Sequence, residues 1–234
     1  MVIAGLQKMT LLDYPGKVAC TVFLQGCNFR CPFCHNRDLL DAAPETFSVE
    51  ELLAFLKKRQ GLLDAVCISG GEPTLQPDLE ALIREIKALG YAVKLDTNGS
   101  HPSVLKRLAN SGLLDYVAMD VKNSPAEYGN TTGLPSVNLE AVEESLSFLL
   151  NDTVDYELRT TVADELHSEQ SFTELGQWLR QLSKNKAKRF FLQAYVDRDS
   201  VLCEGLHAPS DEKLAALREI LAPYVLEISI RGRS

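Results

Sequence analysis

Short apolar runs alternate along this chain with longer segments in which apolar residues recur every three or four positions. The short runs are rich in β-branched residues and predict seven strands, over residues 18–24, 65–69, 92–96, 116–120, 156–161, 189–194 and 225–230. The longer segments have the period of an amphipathic helix, as in the stripe of Leu79, Leu82, Ile83, Ile86 and Leu89. The pattern therefore predicts alternating strands and helices.

Several helix starts are marked as well. Ser48 stands three residues before Glu51, the spacing of a capping box, and Ser210 precedes two acidic residues. Strand–helix alternation implies right-handed crossovers between parallel strands. Six such units are fewer than the eight of a closed barrel, so we expect an α/β fold with an open, mostly parallel sheet. Residues 1–234 contain no evident linker or repeat, and we expect a single domain.

Composition narrows the class of protein. Of the 234 residues, 45% are hydrophobic and 24% are charged, which suits a globular chain with a substantial core. The formal charge of −8 disfavours nucleic acid as the main partner. Apolar runs fall short of the ~18 residues of a membrane span, and the first residues lack the pattern of a signal peptide. We therefore expect a cytoplasmic protein with no membrane partner, in which the six cysteines are reduced.

The candidate chemistry is concentrated in the loop after the first predicted strand. Cys27, Cys31 and Cys34 are spaced C-x3-C-x2-C, and three thiolates can hold a metal centre. A four-iron cluster on three cysteines leaves one iron open to another ligand. The alternative is a zinc site made of these cysteines and His35, although His35 directly follows Cys34 and would be strained as a fourth ligand. The spacing favours iron–sulfur chemistry and leaves zinc open.

Glycines and polar or charged residues lie near the carboxyl ends of the other predicted strands. They are Gly70, Gly71, Glu72, Asp96, Thr97, Asn98, Asp120, Lys122 and, within the fifth strand, Arg159. In parallel α/β folds, ligands bind at the carboxyl ends of the strands. Several of these residues also have a plainer interpretation. Residues 70–73 and 96–99 have the composition of turns, and Lys122 could be part of a surface ion pair.

Taken together, the cysteine spacing and the Gly-Gly-Glu sequence resemble the radical S-adenosylmethionine (SAM) superfamily. The longer run from Asp13-Tyr14-Pro15-Gly16-Lys17 to Cys34-His35-Asn36 is similar to activating enzymes of glycyl-radical proteins. The resemblance implies a partial (β/α)6 TIM-like barrel, with a [4Fe-4S] cluster on the three cysteines. It also implies an oxidoreductase that reductively cleaves SAM to a 5′-deoxyadenosyl radical.

The resemblance further assigns roles to residues at the strand ends. It implies that Phe33 lies near the adenine, and that Glu72, with Gly70 and Gly71, binds the amino group of SAM. Other implied SAM contacts are Asp96, Thr97, Asn98, Asp120, Lys122 and Arg159. A monovalent cation held by Asp96, Thr97 and Asp120 is a further implication. Gln193 departs from the histidine found at the matching position of some pyruvate formate-lyase activators.

The implied partner is a glycyl-radical protein, with anaerobic ribonucleoside-triphosphate reductase favoured, and the implied electron donor is a flavodoxin or ferredoxin. Two alternatives remain. One is a small-molecule radical SAM enzyme such as a 7-carboxy-7-deazaguanine synthase, and the other is a zinc-binding regulatory module. The long match from Asp13 to Asn36 favours the activating enzymes.

Overall fold

A computed structural model describes residues 1–40, 47–197 and 201–232. In this part of the chain the strands are β1 (Ile3–Thr10), β2 (Ala19–Leu24), β3 (Ala65–Gly70), β4 (Ala92–Thr97), β5 (Tyr116–Asp120), β6 (Tyr156–Val162), β7 (Ala187–Ala194) and β8 (Val225–Arg231). The helices are α1 (Val49–Arg59), α2 (Leu79–Ala88), α3 (Pro102–Asn110), α4 (Tyr128–Thr132), α5 (Leu139–Leu150), α6 (Glu169–Leu182) and α7 (Asp211–Leu221).

The strand order follows the chain from β1 to β8. β1 pairs with β2 in the antiparallel sense, whereas β2–β3–β4 and β6–β7–β8 are parallel. The predicted α/β class with an open, mostly parallel sheet is therefore confirmed. Each of the seven predicted strands lies within two residues of an observed one, and β1 was not predicted.

The described residues fall into two compact units, each made of several segments. The first contains residues 1–28, 38–97 and 103–118, and the second contains residues 29–37, 98–102 and 119–234. The expectation of a single domain stays a prediction.

The first unit buries the apolar runs that predicted its strands. Val66 and Ile68 of β3 are fully buried, as are Leu56 of α1 and Ile83 of α2. Strands covered on both faces read as continuous apolar runs, and this is how β2 and β3 read. Ser48 and Glu51 form the predicted capping box of α1. This packing holds the carboxyl ends of β2, β3 and β4 in fixed positions.

The second unit is built in the same way from its own elements. Leu158 of β6, Phe172 of α6, Phe190 of β7 and Leu217 of α7 are fully buried. Ser210 caps α7, as predicted, by accepting a hydrogen bond from the backbone N–H of Lys213. Within the described residues, no helix is both long enough and apolar enough to cross a membrane.

Candidate functional site

In the first unit, the loop after β3 packs against the loop that carries Cys27, and the contact is made between Gly71 and Gly26. The backbone N–H of Gly71 donates to the Leu24 carbonyl at 2.9 Å, and that of Glu72 donates to the Gly26 carbonyl at 2.7 Å. A Cβ atom on Gly71 would lie 2.0 Å from the Gly26 oxygen and 3.2 Å from the Cys27 nitrogen. Any larger residue at Gly71 would therefore displace the backbone next to Cys27.

Glu72 is fully buried, and its carboxylate is held in place by threonines. Its Oε1 accepts hydrogen bonds from the backbone N–H of Thr74 at 3.0 Å and from the hydroxyl of Thr97 at 2.7 Å. The hydroxyl of Thr74 donates to the same oxygen. A buried carboxylate is stable only with such donors, and Glu72 is thereby fixed in position. The structure thus brings Glu72 and Thr97 together, while Thr74 is a supporting residue that the motif did not reveal.

Asp96, at the end of β4, pairs with a lysine of the same strand. Its carboxylate contacts the ammonium of Lys94, a side chain that is only 1% exposed. Ser69 donates its hydroxyl to Asp96 Oδ2 at 3.1 Å, and the Cys67 thiol lies 3.6 Å from Oδ1. Cys67 is buried as well, and Lys94 was not singled out from the sequence.

In the second unit, backbone hydrogen bonds anchor the loop that carries Cys31 and Cys34. The N–H of Arg30 donates to the Thr132 carbonyl at 2.9 Å, and that of Cys203 donates to the Pro32 carbonyl at 3.0 Å. A turn joins Cys34 N–H to the Cys31 carbonyl at 3.0 Å. Cys31 is buried and Cys34 is half-buried, so the loop is a defined structure rather than a loose connection.

Asp120 lies between two basic side chains of the second unit. Its Oδ1 accepts from Nε of Arg159 at 2.9 Å, and its Oδ2 accepts from Nζ of Lys122 at 3.0 Å. Burial alone would raise the pKa of Asp120, but the charges of Arg159 and Lys122 outweigh it and hold the pKa far below the ordinary value. Burial would lower the pKa of Lys122, and the charges of Asp120 and Cys31 raise it instead. Neither base is a solvated surface residue, since Arg159 is 16% exposed and Lys122 is 13% exposed.

Phe33 lies beneath Lys122, on the same loop as the cysteines. The Lys122 ammonium is 5.8 Å from the centre of the Phe33 ring, and the His167 ring centre is 6.3 Å from it. His167 is 1% exposed, and its Nε2 is 3.0 Å from the Lys122 carbonyl. A histidine just before a helix is more often a cap or a surface residue, so the burial of His167 could not be predicted from the sequence.

Asn98 and Gln193, which the sequence also singled out, lie in a local turn and at an exposed strand position. Asn98, in the second unit, accepts hydrogen bonds from the Ser100 backbone N–H at 3.0 Å and from its hydroxyl at 2.6 Å, which makes a local turn. Gln193 is exposed near the end of β7.

The residues present suit an iron–sulfur cluster and suit a monovalent cation poorly. Cysteine thiolates are the usual cluster ligands, and backbone hydrogen bonds fix the loop that carries Cys31 and Cys34. Among the described residues, no three His, Cys, Asp or Glu side chains are grouped closely enough to hold a single metal ion. Asp96 and Asp120, which were expected to hold the cation, each contact a protein cation already.

Known proteins resemble this chain both in sequence and in fold. The model of the Radical SAM superfamily matches residues 21–156. A Methanocaldococcus jannaschii protein named "Putative glycyl-radical enzyme activating enzyme" is 30% identical over 236 residues, covering 98% of this chain and 95% of the relative. A 7-carboxy-7-deazaguanine synthase of Thermococcus kodakarensis is 32% identical over 123 residues, covering 44% of this chain and 48% of the relative.

A solved structure supports the fold. A domain of pyruvate-formate lyase-activating enzyme from Bacteroides vulgatus matches with a TM-score of 0.59 at 19% identity, covering 72% of this chain and 99% of that one. The cofactors of the superfamily are a [4Fe-4S] cluster and SAM, as the resemblance implied. This chain is therefore an enzyme of the radical SAM superfamily, related over nearly its whole length to the protein named "Putative glycyl-radical enzyme activating enzyme".

Proposed function

We propose that this enzyme activates a glycyl-radical protein, and that anaerobic ribonucleoside-triphosphate reductase is its partner. The observation that carries the proposal is the relation to the Methanocaldococcus jannaschii protein named "Putative glycyl-radical enzyme activating enzyme", over 98% of the chain and 95% of the relative. The relation to a 7-carboxy-7-deazaguanine synthase covers less than half of either chain. We further propose that residues 1–234 work as a single radical SAM domain.

Cys27, Cys31 and Cys34 are proposed to hold the cluster, and the reducing electron is proposed to come from a flavodoxin or ferredoxin. When bound there, the cluster would supply the electron for reductive cleavage of SAM to methionine and a 5′-deoxyadenosyl radical, the species that would abstract a hydrogen atom from the partner's glycine. Phe33, buried on the cysteine loop, excludes water from its surroundings.

The remaining residues orient and hold SAM in this proposal. Glu72 offers a buried carboxylate to the SAM ammonium, and a charge-assisted hydrogen bond of this kind is short and strong. Gly70 and Gly71 let the backbone come close to the ligand. Arg159 would offer its guanidinium to the SAM carboxylate, and Asp120 orients that guanidinium by accepting from its Nε at 2.9 Å. These residues position the substrate, and the cofactors supply the radical chemistry.

The test is electron paramagnetic resonance of the partner after anaerobic incubation with this protein, SAM and a reductant. A doublet from a glycyl radical should appear on anaerobic ribonucleoside-triphosphate reductase. It should disappear when the partner's radical glycine is replaced by alanine, or when Cys31→Ala replaces this protein.

Three results would contradict parts of the proposal. A doublet on another glycyl-radical protein and none on the reductase would refute the choice of partner. Formation of 7-carboxy-7-deazaguanine without any glycyl radical would favour the small-molecule enzyme. Reconstituted protein that contains zinc but neither iron nor sulfide would favour the regulatory module.

A further inference from the structure

The first unit contains a buried lysine that the proposed chemistry does not use. Lys94 lies in β4 and is 1% exposed, between Val93 and Leu95, which are fully buried. Taking an ammonium out of water is costly unless an opposite charge and hydrogen bonds compensate for it. The contacts of Lys94 therefore indicate why a charge is kept there.

Strand geometry sets those contacts. Lys94 and Asp96 are two residues apart in β4, so their side chains point to the same face of the sheet. Cys67 is the register partner of Lys94 in β3, and its Sγ lies 3.8 Å from the Lys94 ammonium. Ser69, two residues further along β3, donates to Asp96 Oδ2 at 3.1 Å. The ammonium thus contacts Asp96 Oδ1, while Ser69 engages the other carboxylate oxygen.

In the second unit, the carboxylate of Asp120 at the end of β5 is also paired with basic side chains. Asp120 contacts the ammonium of Lys122 at 3.0 Å and the guanidinium of Arg159 at 2.9 Å. Both carboxylates that the sequence associated with a monovalent cation are therefore neutralised by side chains of their own unit. The third group of that set, Thr97, donates its hydroxyl to Glu72 at 2.7 Å.

We infer that the ammonium of Lys94 takes the place of a monovalent metal ion beside Asp96, so that this enzyme binds SAM independently of potassium or sodium. The inference rests on the proposed use of Asp96 at the SAM site. Lys94 acts through Asp96 and is a positioning residue. A fixed ammonium gives the carboxylate the same charge balance as a bound cation, and it cannot be diluted or exchanged.

The experiment measures SAM binding to the reconstituted enzyme by equilibrium dialysis in potassium, sodium and N-methylglucamine chloride at matched ionic strength. The wild-type dissociation constant should be the same within about twofold in all three salts. Lys94→Met leaves Asp96 without its ammonium, so a small cation should now be needed. We expect SAM binding by Lys94→Met to be about tenfold tighter in potassium than in N-methylglucamine.

Two further variants serve as controls. Lys87→Met removes a lysine of the same unit that pairs with Asp115 at 2.7 Å but is 27% exposed, and it should show no dependence on the salt. The double variant Lys94→Met/Asp96→Asn removes both charges, so it too should be independent of the cation. If Lys94→Met does not fold, the wild-type enzyme still tests the inference, because a dependence of its SAM affinity on potassium would overturn it.

Thermal unfolding of the protein without cluster or SAM gives a readout that does not depend on the proposed function. Potassium should raise the Tm of Lys94→Met relative to N-methylglucamine and leave that of the wild type unchanged. A wild-type enzyme whose SAM affinity or Tm requires potassium overturns the inference. Absence of SAM binding in every salt contradicts the proposed function instead, and the Tm comparison then decides the role of Lys94.

Discussion

The packing of Gly71 against the cysteine loop allows a sharp prediction with an internal control. In Gly71→Ala, the new Cβ would lie 2.0 Å from the Gly26 carbonyl oxygen. Ordinary contacts between carbon and a carbonyl oxygen are about 3.3 Å or longer, so the two backbones must separate by about 1.3 Å. The atoms that must move are backbone atoms next to Cys27, and no flexible side chain can absorb the change.

The cost follows from this geometry. Overpacking a well-packed site costs about 1–3 kcal/mol, and a clash between two backbones belongs at or above the upper end of that range. Moving the loops apart also weakens the bond from Glu72 N–H to the Gly26 carbonyl, which measures 2.7 Å. We expect a loss of about 3 kcal/mol, which for a chain of this size lowers the Tm by about 6–12 °C.

The same substitution at Gly5 is the matched control. A Cβ there would lie 3.5 Å from the Phe23 ring, an ordinary contact, so Gly5→Ala should leave stability unchanged or raise it by up to about 1 kcal/mol. Both variants would be compared by thermal unfolding without the cluster, and by iron and sulfide content after anaerobic reconstitution. Gly71→Ala should lose stability and load less cluster. Equal Tm values and full cluster content in both variants would refute the reasoning.

Two further predictions concern buried groups near the cysteine loop. In Glu72→Gln the amide can still accept from Thr97, but it loses the charge, so SAM should bind roughly 10- to 150-fold more weakly (about 1.5–3 kcal/mol) with unchanged iron content. Unchanged SAM affinity, or an equal loss in the surface control Glu80→Gln, would contradict this role. Burial lowers the pKa of His167, so the unfolded chain takes up a proton near pH 6.5 that the folded chain does not bind. As the pH is lowered below 6.5, the free energy of unfolding should therefore decrease, by up to about 1.4 kcal/mol per pH unit for this group. His167→Gln should show a shallower decrease in a pH series of unfolding measurements. Identical pH profiles for the variant and the wild type would exclude the effect.

The interior strands could be predicted because their burial is visible in the sequence. β2, β3 and β5 are almost continuous apolar runs, and the stripe of α2 has an unambiguous helical period. β1 lacks such a signal, since Gln7, Lys8 and Met9 are all exposed and β2 is its one neighbour among the described strands. An edge strand is selected by its partner more than by its own pattern.

The run from Asp13 to Lys17 has a use that the sequence did not disclose. It forms the connection between β1 and β2, where Tyr14 is buried and its ring centre is 5.6 Å from that of Tyr116. Gly16 has a φ of 71°, a conformation that favours glycine. A run that looked like a functional signature is thus at least a folding element, and its presence alone does not distinguish among partner proteins.

The charges at the strand ends show most clearly what the sequence pattern left out. Asp96 and Asp120 were identified as candidates, but a lysine in a strand is usually exposed, so Lys94 gave no signal by its residue type. The position of Lys94 did carry a signal. β4 is buried on both faces, and a lysine two residues from an aspartate in a strand lies on the same face as that aspartate. Lys122 stands in the same relation to Asp120, two residues after it. In both units the acid at a strand end is accompanied by a base two residues away, so the chain balances each charge locally, whatever ions the solvent supplies.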